Sequence, residues 1–469
     1  MTRLASSSER LAAVVSGRAD VVLPSDENLE RWETPARGPR GAVSAVALPR
    51  TVDDLRSLVS AAREHRVRLI VQGANTGLVG SSVPPADGDE PVVVVDLARC
   101  DPVVEIDVGN RTALVSAGTR LAELNEQAAV HGLCLPVDLS VDPAIGGLVS
   151  TGAGGSRVVR YGPIKHRIRS MEVVLADRDA SLLGRPLHGL AKDSRGTELA
   201  SVAVGAGGTL GIVTRLVMDL EPMPAATATW WLGLRAGADP SRVFELLDRL
   251  RPATISAFEL VSANAIACAA DVLDVAAPID RDHDHLLVEW SVPEAPLDGL
   301  EDNVAAAFEA GDIVDGVLAP SADAWRVRHA VSESLRQRGV VIGHDVSVPR
   351  SRLDELRRRV ETVVASVLPA GELFTFGHVG DGGLHLNVVV PRDAEPSERV
   401  AIGRLRGEIY DLVAELGGSY SAEHGLGPLN RERWERSASD IERALLRAIK
   451  DVVDDRRILG HPAHPYNRV

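Results

Sequence analysis

Residues 377–387 read GHVGDGGLHLN, and no other stretch restricts the fold of this chain so tightly. Two apolar, β-prone runs, 372–379 and 384–390, flank Gly380-Asp381-Gly382-Gly383, a glycine-rich group of hairpin type. With those four residues as the loop, Val379 faces Leu384 and His378 faces His385. Directly opposed residues hold their Cβ atoms about 5 Å apart, close enough for two imidazoles to share one metal ion. Asn387 lies two residues beyond His385, so the pleat turns it to the same face. The sheet that contains this hairpin must carry a polar face in an otherwise apolar layer.

Such a face needs a third ligand. Residues 419–427, SYSAEHGLG, place Glu423 and His424 side by side between glycines. Two histidines and one carboxylate with open positions suit a catalytic divalent metal. The expected ligand set is His378, His385 and Glu423; zinc is the first metal to expect, and manganese or iron suits the same donors.

GHVGDGGLHLN followed by SAEHGLG resembles the C-terminal signature of the FAD-linked D-2-hydroxyacid dehydrogenases, in the vanillyl-alcohol-oxidase-type flavoprotein superfamily. That family includes D-2-hydroxyglutarate and D-lactate dehydrogenases. The resemblance implies an α+β chain in three parts. A two-part VAO/PCMH-type FAD-binding domain occupies residues 1–222. A substrate- and metal-binding α+β cap domain with a central antiparallel sheet occupies 223–425, and a helical segment, 426–469, returns to the FAD domain. Length agrees, because 469 residues exceed what one hydrophobic core organises.

The first half must then hold the flavin. Thr51-Val52-Asp53-Asp54 has a capping-box pattern and starts a helix whose inward stripe is Val52, Leu55, Leu58, Val59 and Ala62. A strand over 67–71 runs into 72–82, QGANTGLVGSS, where three glycines let backbone N–H groups close on phosphate oxygens. This is not GxGxxG, and no helix of the dinucleotide type follows, so a Rossmann site is the wrong pattern. The loop resembles the family's pyrophosphate loop, QGGNTGLVGGS, with Ala74 and Ser81 in place of glycines. The resemblance assigns Gly73, Ala74, Asn75, Thr76, Gly77, Gly80 and Ser81 to the cofactor.

Short β-rich runs at 91–96, 103–107 and 112–116 lead to a helix capped by Thr119, with Leu121, Leu124 and Ala128 inward. Glycines then crowd residues 146–155. Each costs about 1 kcal/mol relative to Ala in a helix, so this stretch reads as a second backbone-lined loop. By resemblance it follows the flavin ring and diphosphate, using Pro136, Asp138, Gly146, Gly147, Gly152, Gly154 and Gly155. Gly152 stands where the family usually has Asn. Tyr161 continues the match, as does 205–214 with Gly208, Gly211 and Ile212; Gly207 stands where Glu is common.

After a boundary near residues 221–224, Asp239-Pro240 opens a helix with Val243, Leu246, Leu247 and Leu250 inward. Further on, Trp325-Arg326-Val327-Arg328 resembles the family's Trp-x-x-Arg, which implies that the guanidinium fork of Arg328 grips the substrate carboxylate, with Asn387 beside it. The family tends to carry Lys just before a His/Tyr-Asp-Val-Ser-x-Pro segment; this chain has Gly343 before His344-Asp345-Val346-Ser347-Val348-Pro349. A cation expected of a D-2-hydroxyglutarate enzyme is therefore missing, and the identity of the hydroxy acid stays open. The implied reaction is oxidation of a D-2-hydroxy acid to the 2-oxo acid by hydride transfer to flavin N5. The metal binds the substrate hydroxyl, and His424 is the base. A flavin oxidase releasing hydrogen peroxide is one alternative, and a flavin-binding protein without this catalysis is another.

A net charge of -15 disfavours nucleic acid and anionic membranes as partners. Cys100, Cys134 and Cys268 have no CxxC spacing and fit reduced thiols. With no apolar run of spanning length and no signal-like N-terminus, a cytoplasmic enzyme is expected. Its partners are then a small 2-hydroxy acid and an electron-acceptor protein or quinone. A homodimer is the assembly to test.

Overall fold

Four sheets, of four, five, two and seven strands, organise the chain in a computed structural model that describes residues 6–23, 28–86, 90–249, 254–292, 299–393 and 396–469. The helix Val52–His65 starts with the reciprocal Thr51–Asp54 cap and buries Val52, Leu55, Leu58, Val59 and Ala62. These residues share a core with the strands Ala45–Ala47, Arg68–Gln72 and Val92–Asp96, which pair in parallel. The second part of the first domain is an antiparallel sheet whose central strand, Ile212–Asp219, lies between Thr112–Ser116 and Ile168–Val174.

Two local expectations fail here. Thr119 does not cap the helix Leu121–Ala129; its hydroxyl bonds Ser116 Oγ at 2.8 Å, and Asp142 accepts the Ala122 N–H at 2.9 Å. Ile145–Thr151, glycines included, is a helix rather than a loop. Close approach outweighs propensity, because a Cβ on Gly146 would sit 2.6 Å from Ala117 Cβ. The helix ends at Gly152, whose φ of +70° only glycine adopts freely.

From Ala226 the chain builds a seven-stranded antiparallel sheet. Its alternating side chains feed two cores. Leu260, Leu286 and Val288 pack with the helices Pro240–Leu247, Leu300–Glu309, Leu353–Val367 and Pro396–Glu415 on one face. Val261, Leu287, Phe374 and Phe376 pack with Ala263–Leu273 and Ser321–Arg338 on the other. Asp239 caps the first of these helices with Val243 and Leu247 buried, while the expected inward Leu250 lies outside the described residues. The strands 372–377 and 383–390 form the last hairpin.

The helix Asp440–Val453, capped reciprocally by Ser439 and Glu442, leads back to the first domain. Leu459 bridges in parallel to Leu69, with N–H···O bonds of 2.8 Å on both sides. Buried Lys450 bonds Asp454 at 2.7 Å and the Thr209 carbonyl at 2.6 Å. No described helix is long and apolar enough to cross a membrane.

Candidate active site

The hairpin turn is longer than its glycines suggest. Phe376, not His378, pairs with His385, and Phe374 pairs with Asn387. Val379 therefore does not oppose Leu384. Gly377 leaves the extended region with φ +147°, and the His378 carbonyl accepts the N–H groups of Asp381 and Gly383 at 3.1 and 3.0 Å. Gly382, at φ +94°, lies where a Cβ would be 2.2 Å from the Val348 carbonyl. His378 thus projects from the turn, yet its ring still meets His385, with centroids 5.2 Å apart.

What fixes His378 is a residue that hydrophobic patterning hid. Glu259, fully buried in the strand Thr254–Val261, takes His378 Nδ1 on one oxygen at 2.5 Å. Its other oxygen takes Arg328 Nε and Nη2 at 2.9 and 2.8 Å. Burial alone would raise the Glu259 pKa, but His378 and Arg328 hold it down at about 2. Burial likewise opposes charge on His378, while Glu259 and Glu423 keep its pKa well above the usual value. Most of the Arg328 fork is therefore committed to Glu259, and among the described residues Nη1 has no hydrogen-bond partner.

Glu423 is where the imidazoles meet. Its Oε1 lies 3.3 Å from His378 Nε2, 3.4 Å from His385 Nε2 and 3.9 Å from His424 Nε2. Metal–ligand bonds of about 2.0–2.1 Å place tetrahedral donors roughly 3.3 Å apart, a spacing that His378 Nε2 and His385 Nε2 keep from Glu423 Oε1 and that a hydrogen bond also gives. The group whose donor atoms all lie within 4.8 Å of one another joins His385, Glu423 and His424 not with His378 but with Asp345. We read it as orienting the site instead, because it faces the Nδ1 side, 3.6 Å from His385 and 3.3 Å from His424. Its Oδ2 already accepts the N–H groups of Glu423 and His424 at 3.0 and 2.9 Å. Burial pushes His385 down to about 4 against the pull of Glu423, so at neutral pH it offers a lone pair.

The other oxygen of Glu423 crosses to the first domain, accepting the Gly155 N–H at 2.7 Å. Gly155 sits at φ +99°, with Asp138 O 2.4 Å from where a Cβ would be. A cavity of about 850 Å³ opens at this junction. One wall holds His378, His385, Asn387, Glu423, His424 and Arg328. The other is glycine-rich backbone: Gly73 to Gly77 with Ala74, Asn75 and Thr76, then Ser81, Asp138, Gly146, Gly147, Gly154, Gly155, Gly208, Gly211 and Ile212. Asn75 turns its amide away, to the carbonyls of Arg31 and Thr34 at 3.2 and 2.8 Å, and so holds the loop.

Four of the expected cofactor residues lie off this wall. Gly152 terminates its helix, and Gly80 makes a turn at φ +76°. Pro136 is flanked by core residues Leu135 and Val137. Tyr161 is buried, with the Arg160 guanidinium 4.9 Å from its ring centre. At Gly207, where Glu is common in the family, His464 Nε2 and Ser81 Oγ stand 2.9 and 3.3 Å from a would-be Cβ and fill the side-chain space. Backbone-lined loops spaced for close approach, opening on imidazoles gathered around a carboxylate, fit a flavin nucleotide laid toward the histidines.

Comparison with known proteins agrees. Residues 43–179 match the FAD binding domain family, and residues 237–461 match the C-terminal domain of FAD linked oxidases. The chain is 30% identical over 432 residues to a D-2-hydroxyglutarate dehydrogenase of Stutzerimonas stutzeri, covering 89% of this chain and 90% of that one. It is also 30% identical over 466 residues to the mitochondrial enzyme of that name from Rattus norvegicus, covering 97% and 84%. Among solved structures, p-cresol methylhydroxylase superposes with a TM-score of 0.72 at 18% identity, covering 96% of this chain and 95% of that one, which shows the shared fold. The chain belongs to the FAD-linked D-2-hydroxyacid dehydrogenase family.

Proposed function

We propose that this protein oxidises a D-2-hydroxy acid to the 2-oxo acid with a divalent metal held by His378, His385 and Glu423. The convergence of three imidazole Nε2 atoms on Glu423 Oε1, in the cavity that the flavin-side loops also line, carries this reading. Bound FAD supplies the acceptor for the Cα hydride. A divalent ion, zinc in preference to manganese or iron, supplies a Lewis acid that lowers the pKa of the substrate hydroxyl.

The chain's own groups do the rest. His424 turns Nδ1 to Asp345, which leaves Nε2 toward the cluster as the atom that accepts the hydroxyl proton. Arg328, through Nη1, and Asn387 orient the C1 carboxylate beside it. Gly155 and Glu423 close the junction between cap and first domain, which keeps water from the reacting carbon. Electrons then leave to an acceptor protein or quinone, and the absence of oxygen uptake during turnover checks that step.

The test is anaerobic bleaching of the flavin absorbance by D-2-hydroxy acids, before and after chelation. Bleaching that chelator abolishes and a divalent metal restores is expected. Full-rate bleaching in the chelated protein would falsify the metal role.

A further inference from the structure

The flavin-side wall is backed by the end of the chain. Lys450 donates to the Thr209 carbonyl, Leu459 bridges Leu69, and a Cβ on Gly460 would stand 2.6 Å from Thr209 Cγ2. His464 goes deepest. It is fully buried and uses both ring nitrogens. Nδ1 accepts the Tyr466 N–H at 3.2 Å, so Nε2 carries the proton and donates it to the Leu426 carbonyl at 2.9 Å.

Three segments meet at this imidazole. Its Nε2 stands 2.9 Å from where a Cβ on Gly207 would be, which the missing side chain alone permits. Ser81 Oγ is 3.3 Å from the same point and donates to the same Leu426 carbonyl at 3.4 Å. The turn at Leu426 is itself wedged in place. A Cβ on Gly425 would lie 2.6 Å from the Thr151 carbonyl, and one on Gly427 would lie 2.6 Å from the Val79 carbonyl.

Ser81 and Gly207 line the cavity, and Leu426 is two residues from His424. His464 stands behind them, outside the cavity lining. Glycine-rich loops lose more backbone entropy on ordering than other segments. Where nothing holds them beforehand, the ligand must order them, and affinity falls. Without the Nε2–H, the Leu426 carbonyl also loses its nearest donor.

We infer that His464 is a positioning residue that clamps the flavin cradle. Through Nε2–H it holds the 72–82 loop, the 205–211 turn and the segment bearing Glu423 and His424 in one arrangement. Flavin retention depends on it, whichever acid is oxidised.

Two amides separate the two nitrogens of the ring. The Asn oxygen falls near the place of Nδ1, so His464→Asn keeps an acceptor for Tyr466 but is too short to reach Leu426. The Gln nitrogen falls near the place of Nε2, so His464→Gln keeps the donor to Leu426 and gives up Tyr466. The experiment dilutes each purified holoprotein and reads the released FAD by its fluorescence. His464→Asn should lose roughly 5- to 100-fold in FAD affinity, the effect of one buried carbonyl left without its donor. His464→Gln should stay within about threefold of the unaltered protein. His461→Ala is the control on the same tail, since that ring accepts the Ala463 N–H within the tail itself. It should move FAD affinity by less than about twofold. A purely structural role for His464 predicts equal damage from both amides. Equal losses, no loss in either, or the reverse order overturns the clamp. Should either amide variant fail to fold, Gly207→Ala decides, because its methyl enters the space of the imidazole. Release of FAD from that variant supports the clamp, and full retention overturns it.

Discussion

The flavin-side wall of the cavity and the cap-side wall are built from different material. On the flavin side, loops interlock through missing side chains. A Cβ on Gly73 would stand 2.7 Å from Ala144 Cβ, and one on Gly211 would stand 2.4 Å from Val173 Cγ1. The polar side chain of Asn75 serves the loop rather than the cavity. On the cap side, the working atoms are side-chain nitrogens and oxygens, and buried Glu259 and Asp345 orient the rings. Backbone cradles survive small exchanges at their rim, whereas an oriented cluster fails when one member goes. The departures from family pattern at Ala74, Ser81 and Gly207 all fall on the forgiving wall.

Replacing the proposed base is the hardest blow to that contrast. His424→Ala should slow flavin reduction by roughly 10²- to 10⁴-fold with the flavin still bound, read by anaerobic stopped-flow; normal reduction removes His424 as base. Glu259→Gln acts at one remove, leaving His378 without its carboxylate. Metal affinity measured against a competing chelator should fall about 10- to 100-fold, with an unchanged flavin spectrum. Unaltered affinity would make Glu259 a structural partner of Arg328 alone.

Acid should loosen both sides alike. Burial holds His285 in the cap, and His461 and His464 against the first domain, at about 4. The unfolded value is about 6.5, so below it the unfolded chain takes up protons that the folded chain refuses. Stability is fully present above about pH 6.5 and is lost as pH falls toward 4, on the order of 1–3 kcal/mol per histidine. Thermal melts at pH 7 and pH 5 measure the difference, and equal melts count against these burial assignments. The smallest effect expected is that of Ala74→Gly, which restores the family's residue on the backbone wall. Flavin affinity should move by less than about twofold, the effect of a change of under about 0.5 kcal/mol at a half-buried position. A tenfold change would mean that this loop also depends on side chains.

Where side chains repeat with a period, the sequence was readable: the stripe from Val52 to Ala62 and the Thr51–Asp54 cap are as the pattern demands. The partners His378, His385, Glu423 and His424 were found because imidazoles and a carboxylate stand out among apolar and glycine residues. Glu259 was missed, although a lone acid inside the strand TISAFELV is itself a signal that a buried charge has a partner. Helix propensity misled at Gly146, because the cost of glycine is local and the clash with Ala117 it avoids is tertiary. His464 lies in a stretch without periodicity, and only the folded chain shows that it reaches Leu426.

The bridge between Leu69 and Leu459 also bears on how the protein is made. Arg68–Gln72 is an edge strand of its sheet, and the segment that covers it lies far along the chain. At about 5–20 residues per second, a ribosome needs on the order of 10–50 s to travel from the end of the first domain to that segment. Throughout this interval the nascent first domain presents an uncovered strand, the kind of surface that invites pairing with another chain. Completion of this domain therefore waits on synthesis of the cap, and chaperone demand during translation should concentrate in that window.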